Sequence, residues 1–111
     1  MKGEDKMLDI NKENFEAEVM QASGKVFVMF SSAGWAPCAA IKPFVAGCSE
    51  KFADKLKFGL IDTGANKRLA MSQKVMGIPQ IAIYHNGEKI ESLGKEDATE
   101  ANIEALIARH S

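Results

Sequence analysis

The sequence is short of the residues that mark several protein classes. It has two cysteines in 111 residues, too few for the disulfide framework of a small secreted protein. Its three prolines and nine scattered glycines exclude collagen-like and low-complexity chains. Neither sign of charge dominates, because 14 basic and 15 acidic residues give a formal net charge of −1. We therefore expect no nucleic-acid partner.

Long apolar runs are also missing. No stretch approaches the roughly 18 apolar residues that a membrane span requires, and charges interrupt every short apolar stretch of the opening MKGEDKMLDI. A signal-peptide core is therefore not predicted there, and we expect a cytoplasmic location and no membrane partner. We expect no cofactor and no metal, because the glycines form no phosphate-binding loop and no cysteines and histidines have zinc-ligand spacing.

The chain does contain enough apolar residues for one folded domain. Hydrophobic residues make up 46% of the sequence, and the length is close to the commonest domain size. We predict a flexible tail over residues 1–6 and a single domain over residues 7–111.

Hydrophobic patterning predicts strands and helices that alternate along most of this domain. The run VFVMF (26–30) is typical of a strand buried on both faces, and Asn86-Gly87 favours a tight hairpin between the last two strands. Helix starts are predicted at Asn11, at Pro37 and, from its capping-box spacing with Glu100, at Asp97. The expected strands are 7–10, 26–30, 55–62, 81–84 and 89–93, and the expected helices are 12–23, 36–53, 66–75 and 97–110. This order predicts an α/β domain with a mixed sheet of about five strands and about four helices on both faces.

The two cysteines are not expected to pair with each other. On one helix, Cys38 and Cys48 would have Cα atoms about 15 Å apart, whereas a disulfide needs less than about 7 Å. Helical spacing places Cys48 on the inward face, in the core. His85 and His110 have no partners at ligand spacing, so we expect both side chains to be solvated.

Several motifs in this order resemble the thioredoxin family over nearly the whole chain. They are VFVMF, a loop that leads into WAPC (35–38) at the start of a helix, Pro43 five residues beyond Cys38, and Gly77-Ile78-Pro79 before the Asn86-Gly87 hairpin. The resemblance implies a thioredoxin fold. It also implies a cis peptide before Pro79 and a groove beside it, where Gly77, Ile78 and Trp35 would meet an extended segment of a protein partner.

The active-site loop departs from the family's Cys-Gly-Pro-Cys. Trp35 stands at the position of the attacking cysteine, Ala36 replaces the glycine, Pro37 matches, and Cys38 keeps the position of the resolving thiol. Gly34 replaces the usual tryptophan before the motif. The resemblance therefore implies that the dithiol cycle is lost, and we do not expect an efficient disulfide reductase.

Two further departures concern buried charge. The family implies an aspartate in the middle of the VFVMF strand and a lysine on the neighbouring strand, but these positions hold Met29 and Leu60. Buried charges are costly and are tolerated where function uses their shifted pKa values. Apolar replacements at both positions indicate that the redox apparatus has been lost as a unit.

Two functional hypotheses remain open. In the first, the protein is a groove-binding or scaffolding module, and Trp35 either anchors the interface or folds over Cys38 and fills the space beside it. In the second, Cys38 acts alone in cell redox homeostasis and forms mixed disulfides with a thiol or disulfide partner. Its place in the first turn of a helix favours this hypothesis, because free N–H groups there stabilise a thiolate. The alternative is that Cys38 is an inert, half-buried residue. A third interpretation is that residue 35 was altered from cysteine or selenocysteine.

Overall fold

The computed structural model describes residues 6–111, so the predicted tail lies outside the described residues except for Lys6. Strands and helices follow the predicted alternation. The strands are β1 (Met7–Ile10), β2 (Val26–Ser31), β3 (Lys57–Asp62), β4 (Gln80–His85) and β5 (Glu88–Leu93). The helices are a short π-helix (Glu16–Met20), α1 (Ala36–Lys51), α2 (Lys67–Ser72) and α3 (Glu100–His110).

The five strands form one mixed sheet in the order β1-β3-β2-β4-β5. Strands β1, β3 and β2 are parallel, whereas β4 pairs antiparallel with both β2 and β5. Every residue of the central strand β2 is buried, as its unbroken apolar run predicted. The prediction of a mixed sheet in an α/β domain is confirmed.

Alternate residues of β2 face two separate hydrophobic clusters. Phe27 and Met29 belong to the cluster that also contains apolar residues of α1 and α3. Val28 and Phe30 belong to the second cluster, which contains Val19 of the π-helix. Helical segments therefore cover both faces of the sheet, and the predicted thioredoxin fold is confirmed.

The first predicted helix is wrong over most of its length. Asn11 does cap the segment, because its Oδ1 accepts hydrogen bonds from the backbone N–H groups of Glu13 and Asn14, but turns and the π-helix replace the regular helix expected over 12–23. Phe15 and Val19 are the segment's buried apolar residues. A longer amphipathic helix would bury little more, and packing of such a face supplies most helical stability.

Two other helix boundaries differ from the predicted ones. Helix α2 ends at Ser72, because Lys74 has a positive φ of 61° that an α-helix cannot contain. Helix α3 is capped by Thr99, whose side chain accepts a hydrogen bond from the Asn102 N–H, and not by Asp97. The predicted hairpin turn is confirmed, since Asn86 and Gly87 both have positive φ, as a type I′ turn requires.

The predicted exposure of the histidines is wrong for His110. Its side chain is only 12% exposed, and its Nε2 lies 2.7 Å from Glu91 Oε1 on β5. Hydrogen bonds from Arg109 and then from His110 lower the pKa of Glu91. His85, at the end of β4, is partly buried. The partners of His110 are distant in sequence, so helical spacing alone gave no sign of them.

Candidate active-site loop and groove

The WAPC loop leaves the central strand and turns directly into α1. The backbone N–H of Trp35 donates to the carbonyl of Ser32, and Trp35 is the residue that caps α1. Pro37 occupies the second position of α1, where its missing N–H would have had no helical partner. Gly34, Ala36 and Pro37 are exposed around the tryptophan.

The Trp35 side chain joins this loop to the segment that contains Pro79. Its indole Nε1–H donates to the backbone carbonyl of Ile78 across 3.2 Å. The residue remains 51% exposed, so about half of its surface stays in contact with solvent. One face of the ring is available to a partner while its N–H contacts the backbone of residue 78.

The 77–79 segment forms the other wall of the candidate groove. The Ile78–Pro79 peptide is cis, Ile78 is partly buried and Pro79 is buried. A Cβ on Gly77 would lie 2.8 Å from Cδ of the exposed Lys95 side chain, which would have to move aside. Met76, next to this segment, is 94% exposed. Together with Trp35 it gives the rim of the groove two large exposed apolar side chains.

Cys38 lies under the loop and not on its surface. It is the third residue of α1 and is 2% exposed. It lines a cleft of about 270 Å³ together with Ser31, Lys42 and Leu60. Sequence reasoning missed this cleft, because its walls come from separate strands and the helix.

Met29 and Leu60 stand side by side in the sheet. They are register partners on β2 and β3, so the two positions at which the family resemblance implied a charged pair are neighbours. Met29 is fully buried, and Leu60 packs against the same hydrophobic cluster. An apolar contact therefore replaces the charged pair.

Cys48 lies near the opposite end of α1, which continues through Pro43. It is 7% exposed and belongs to a hydrophobic cluster, which confirms its predicted place in the core. Burial raises its pKa, and the nearby carboxylate of Glu104 raises it further. Both cysteines are free, as the helix geometry predicted.

Two further features of the chain concern metal binding and membrane spanning. Among residues 6–111, no three or more histidine, cysteine, aspartate or glutamate side chains are grouped so that they could hold a metal ion. Within that range no helix combines the length and apolar character needed to cross a bilayer. The chemistry that the loop offers is thus one buried thiol, one half-exposed indole and the backbone beside Pro79.

Comparison with known proteins agrees with the fold. The family model described as Thioredoxin matches residues 6–109. The chain is 42% identical over 104 residues to the thioredoxins of Acetoanaerobium sticklandii and Peptoclostridium acidaminophilum; the match covers 94% of this chain and 99% and 94% of those proteins. The crystal structure of Malassezia sympodialis thioredoxin (Mala s 13) superimposes with a TM-score of 0.87 over 99% of this chain and 95% of that one, at 21% identity. From the family model and these relatives, the chain belongs to the thioredoxin family of thiol–disulfide redox proteins.

Proposed function

We propose that this thioredoxin-family protein binds an extended segment of a cytoplasmic protein partner along Trp35, Ile78 and Pro79, without running a dithiol cycle. The observation that carries the proposal is the hydrogen bond from the Trp35 indole to the Ile78 carbonyl. The residue at the position of the family's attacking thiol has become part of the groove that would hold a substrate.

The cysteines support the loss of the dithiol cycle. Such a cycle needs a second thiol that can reach the first, but Cys38 and Cys48 lie ten residues apart on one helix and both are buried. Met29 and Leu60 supply no group that could exchange a proton with a thiol. The chain therefore lacks both the thiol pair and its usual charged support.

The groove supports binding of a polypeptide. An extended partner gains affinity from backbone hydrogen bonds and specificity from side-chain pockets. The Ile78 carbonyl is an acceptor that already takes an N–H donor from Trp35, so a partner N–H can replace the indole there. The freed ring and the exposed Met76 would then cover apolar side chains of the partner.

Monothiol exchange with a protein partner is less well supported. The attacking sulfur must reach a partner's disulfide through a mixed-disulfide intermediate, but Cys38 is 2% exposed. Exchange with a folded protein would require the loop to open. We therefore place the protein partner in the groove and not on the thiol.

Restoring the missing thiol tests the first half of the proposal. We expect the wild-type protein to reduce insulin disulfides no faster than dithiothreitol alone, and Trp35→Cys to exceed that background because it recreates a Cys-x-x-Cys pair. Trp35→Ala is the matched control, since it removes the ring without adding a thiol. Rapid turnover by the wild type that Cys38→Ser abolishes would contradict the proposal.

The chain's single tryptophan tests the second half. Ten-residue peptides selected by display on the wild-type protein should shift the fluorescence of Trp35 on binding, since no other tryptophan contributes. Trp35→Phe keeps the ring but lacks the N–H donor, whereas Trp35→Ala lacks both. We expect Trp35→Ala to bind the selected peptides more weakly than Trp35→Phe, as measured by titration calorimetry because neither variant retains a tryptophan. Equal binding by all three proteins, or no peptide enriched, would count against groove binding.

A further inference from the structure

The cleft that reaches Cys38 shares no lining residue with the Trp35 groove. Its walls include Asp9 of β1, Leu60 and Asp62 of β3, and Lys42 of α1, and none of residues 77–79 lines it. Ser31 and Cys38 lie within it, 6% and 2% exposed. A protein disulfide could not enter a space of about 270 Å³, but a small molecule could.

The Ser31 hydroxyl is a buried polar group in the same cleft as Cys38. Its backbone carbonyl accepts hydrogen bonds from Thr63 N and Oγ1, at 2.8 and 3.3 Å, but its Oγ has no hydrogen-bond partner among residues 6–111. Buried hydroxyls are normally hydrogen-bonded, because leaving one unsatisfied is unfavourable. An unpartnered buried hydroxyl and a thiol in one cleft indicate a site for a small polar ligand.

The cleft also supplies features that suit an oxidation reaction. Cys38 lies in the first turn of a 16-residue helix, where free N–H groups favour negative charge. Lys42 lies one helical turn further on and adds a cation to the wall. A reactive cysteine needs an electropositive setting and an access route for its reagent. The helix terminus and Lys42 favour a thiolate, Asp9 and Asp62 in the same walls oppose it, and the cleft supplies the access route for a small reagent.

We propose that Cys38 is a site of oxidation by hydrogen peroxide or another small hydroperoxide that enters this cleft and hydrogen-bonds to Ser31. The Cys38 thiolate sulfur attacks the terminal peroxide oxygen, and the S–O bond forms as the O–O bond breaks. The departing hydroxide, or the alkoxide of an alkyl hydroperoxide, takes a proton to become water or an alcohol. The thiol is thereby oxidised by two electrons to a sulfenic acid.

The oxidised sulfur has no internal resolving partner. Cys48 is the one other cysteine in the chain, and it lies at the far end of α1. A sulfenic acid on Cys38 therefore cannot condense with it, and its return to the thiol requires a small external thiol. This places a reversible modification directly beneath the proposed partner groove, but it does not depend on partner binding.

Peptide mass spectrometry of the native protein after treatment with hydrogen peroxide tests the proposal. We expect Cys38 to gain one oxygen atom at least about tenfold faster than Cys48, whose burial and neighbouring carboxylates hold it as a thiol. Cumene hydroperoxide, whose bulky tertiary carbon adjoins the O–O bond, should approach the 2% exposed sulfur of Cys38 less easily and react more slowly than hydrogen peroxide does. Equal rates at the two cysteines, or oxidation of Cys38 only after denaturation, would overturn the proposal.

A pair of serine variants separates the role of Ser31 from general effects on stability. Ser31→Ala removes the unpartnered hydroxyl and should slow oxidation of Cys38 several-fold. Ser49→Ala is the matched control, since Ser49 is also buried but its Oγ already bonds to Ala46 O and Lys6 N. Oxidation unaffected by Ser31→Ala would contradict the assigned site.

Discussion

Cys38 and Cys48 occupy opposite ends of one helix, and both are buried, but their surroundings differ. Cys48 packs in the hydrophobic cluster of α1, α3 and the sheet. Cys38 belongs to neither hydrophobic cluster and shares its cleft with a serine, a lysine and two aspartates. Low exposure alone therefore does not decide whether a cysteine is inert.

The surroundings of the two cysteines differ because the two ends of α1 pack against different parts of the sheet. The end of α1 with Cys48 lies over apolar side chains, including the partly buried Phe44 and Phe52. The end with Cys38 lies where β2 and β3 finish at Ser31 and Asp62 and the chain turns out to solvent. Parallel strands bring their carboxyl ends to one edge, and α/β proteins commonly place their sites there.

The largest expected loss of stability comes from a charged side chain in place of Met29, which belongs to the same hydrophobic cluster as Cys48. Met29→Asp should lower the free energy of unfolding by about 3–5 kcal/mol, because the carboxylate would be fully buried without a partner. Urea denaturation at neutral pH measures the loss. Adding Leu60→Lys should recover part of it, since the two residues are register partners.

The pH dependence of this variant checks the cause. Burial raises the pKa of a carboxyl, so the variant's stability relative to the wild type should fall as pH rises through that raised pKa. Met29→Asn, which is polar but cannot ionise, should show no such trend. If Met29→Asp is as stable as the wild type at neutral pH, the space around Met29 and Leu60 is more hydrated than the burial of Met29 indicates.

Local patterns predicted much of the fold because they depend on neighbours in sequence. The apolar run at 26–30 and the Asn86-Gly87 turn correctly indicated β2 and the hairpin, and the WAPC position correctly indicated the start of α1. The contacts that define the clefts come from residues far apart in the chain. Trp35 and Ile78, for example, are 43 residues apart, and no periodicity encodes their hydrogen bond.

The two cysteines should respond differently to the same substitution. Cys48→Ser would place a hydroxyl in an apolar cluster, and we expect a loss of about 1–3 kcal/mol in the free energy of unfolding. Cys38→Ser should cost less, because the Ser31 hydroxyl shares the cleft. Chemical denaturation of the two variants side by side measures the difference.

Alanine variants separate the hydroxyl from the loss of sulfur. Cys48→Ala should be less destabilising than Cys48→Ser, whereas the two substitutions should differ little at Cys38. If serine is tolerated equally at both positions, the contrast between an apolar and a polar environment for the two thiols is wrong.

The smallest expected effect concerns the charge beside Cys48. Burial and then Glu104 raise the Cys48 pKa above its ordinary 9.0, so the folded state favours the neutral thiol. The resulting stabilisation is present below the pKa of the unfolded chain and is lost as pH rises through the raised folded value.

Glu104→Gln should lower the Cys48 pKa, make its alkylation by iodoacetamide start at a lower pH, and leave the alkylation of Cys38 unchanged. Because Glu104 is exposed and its charge is screened, its share is on the order of 0.2–1 kcal/mol. An unchanged pH profile would show that Glu104 adds nothing and would leave burial in an apolar setting as the main cause of the raised pKa.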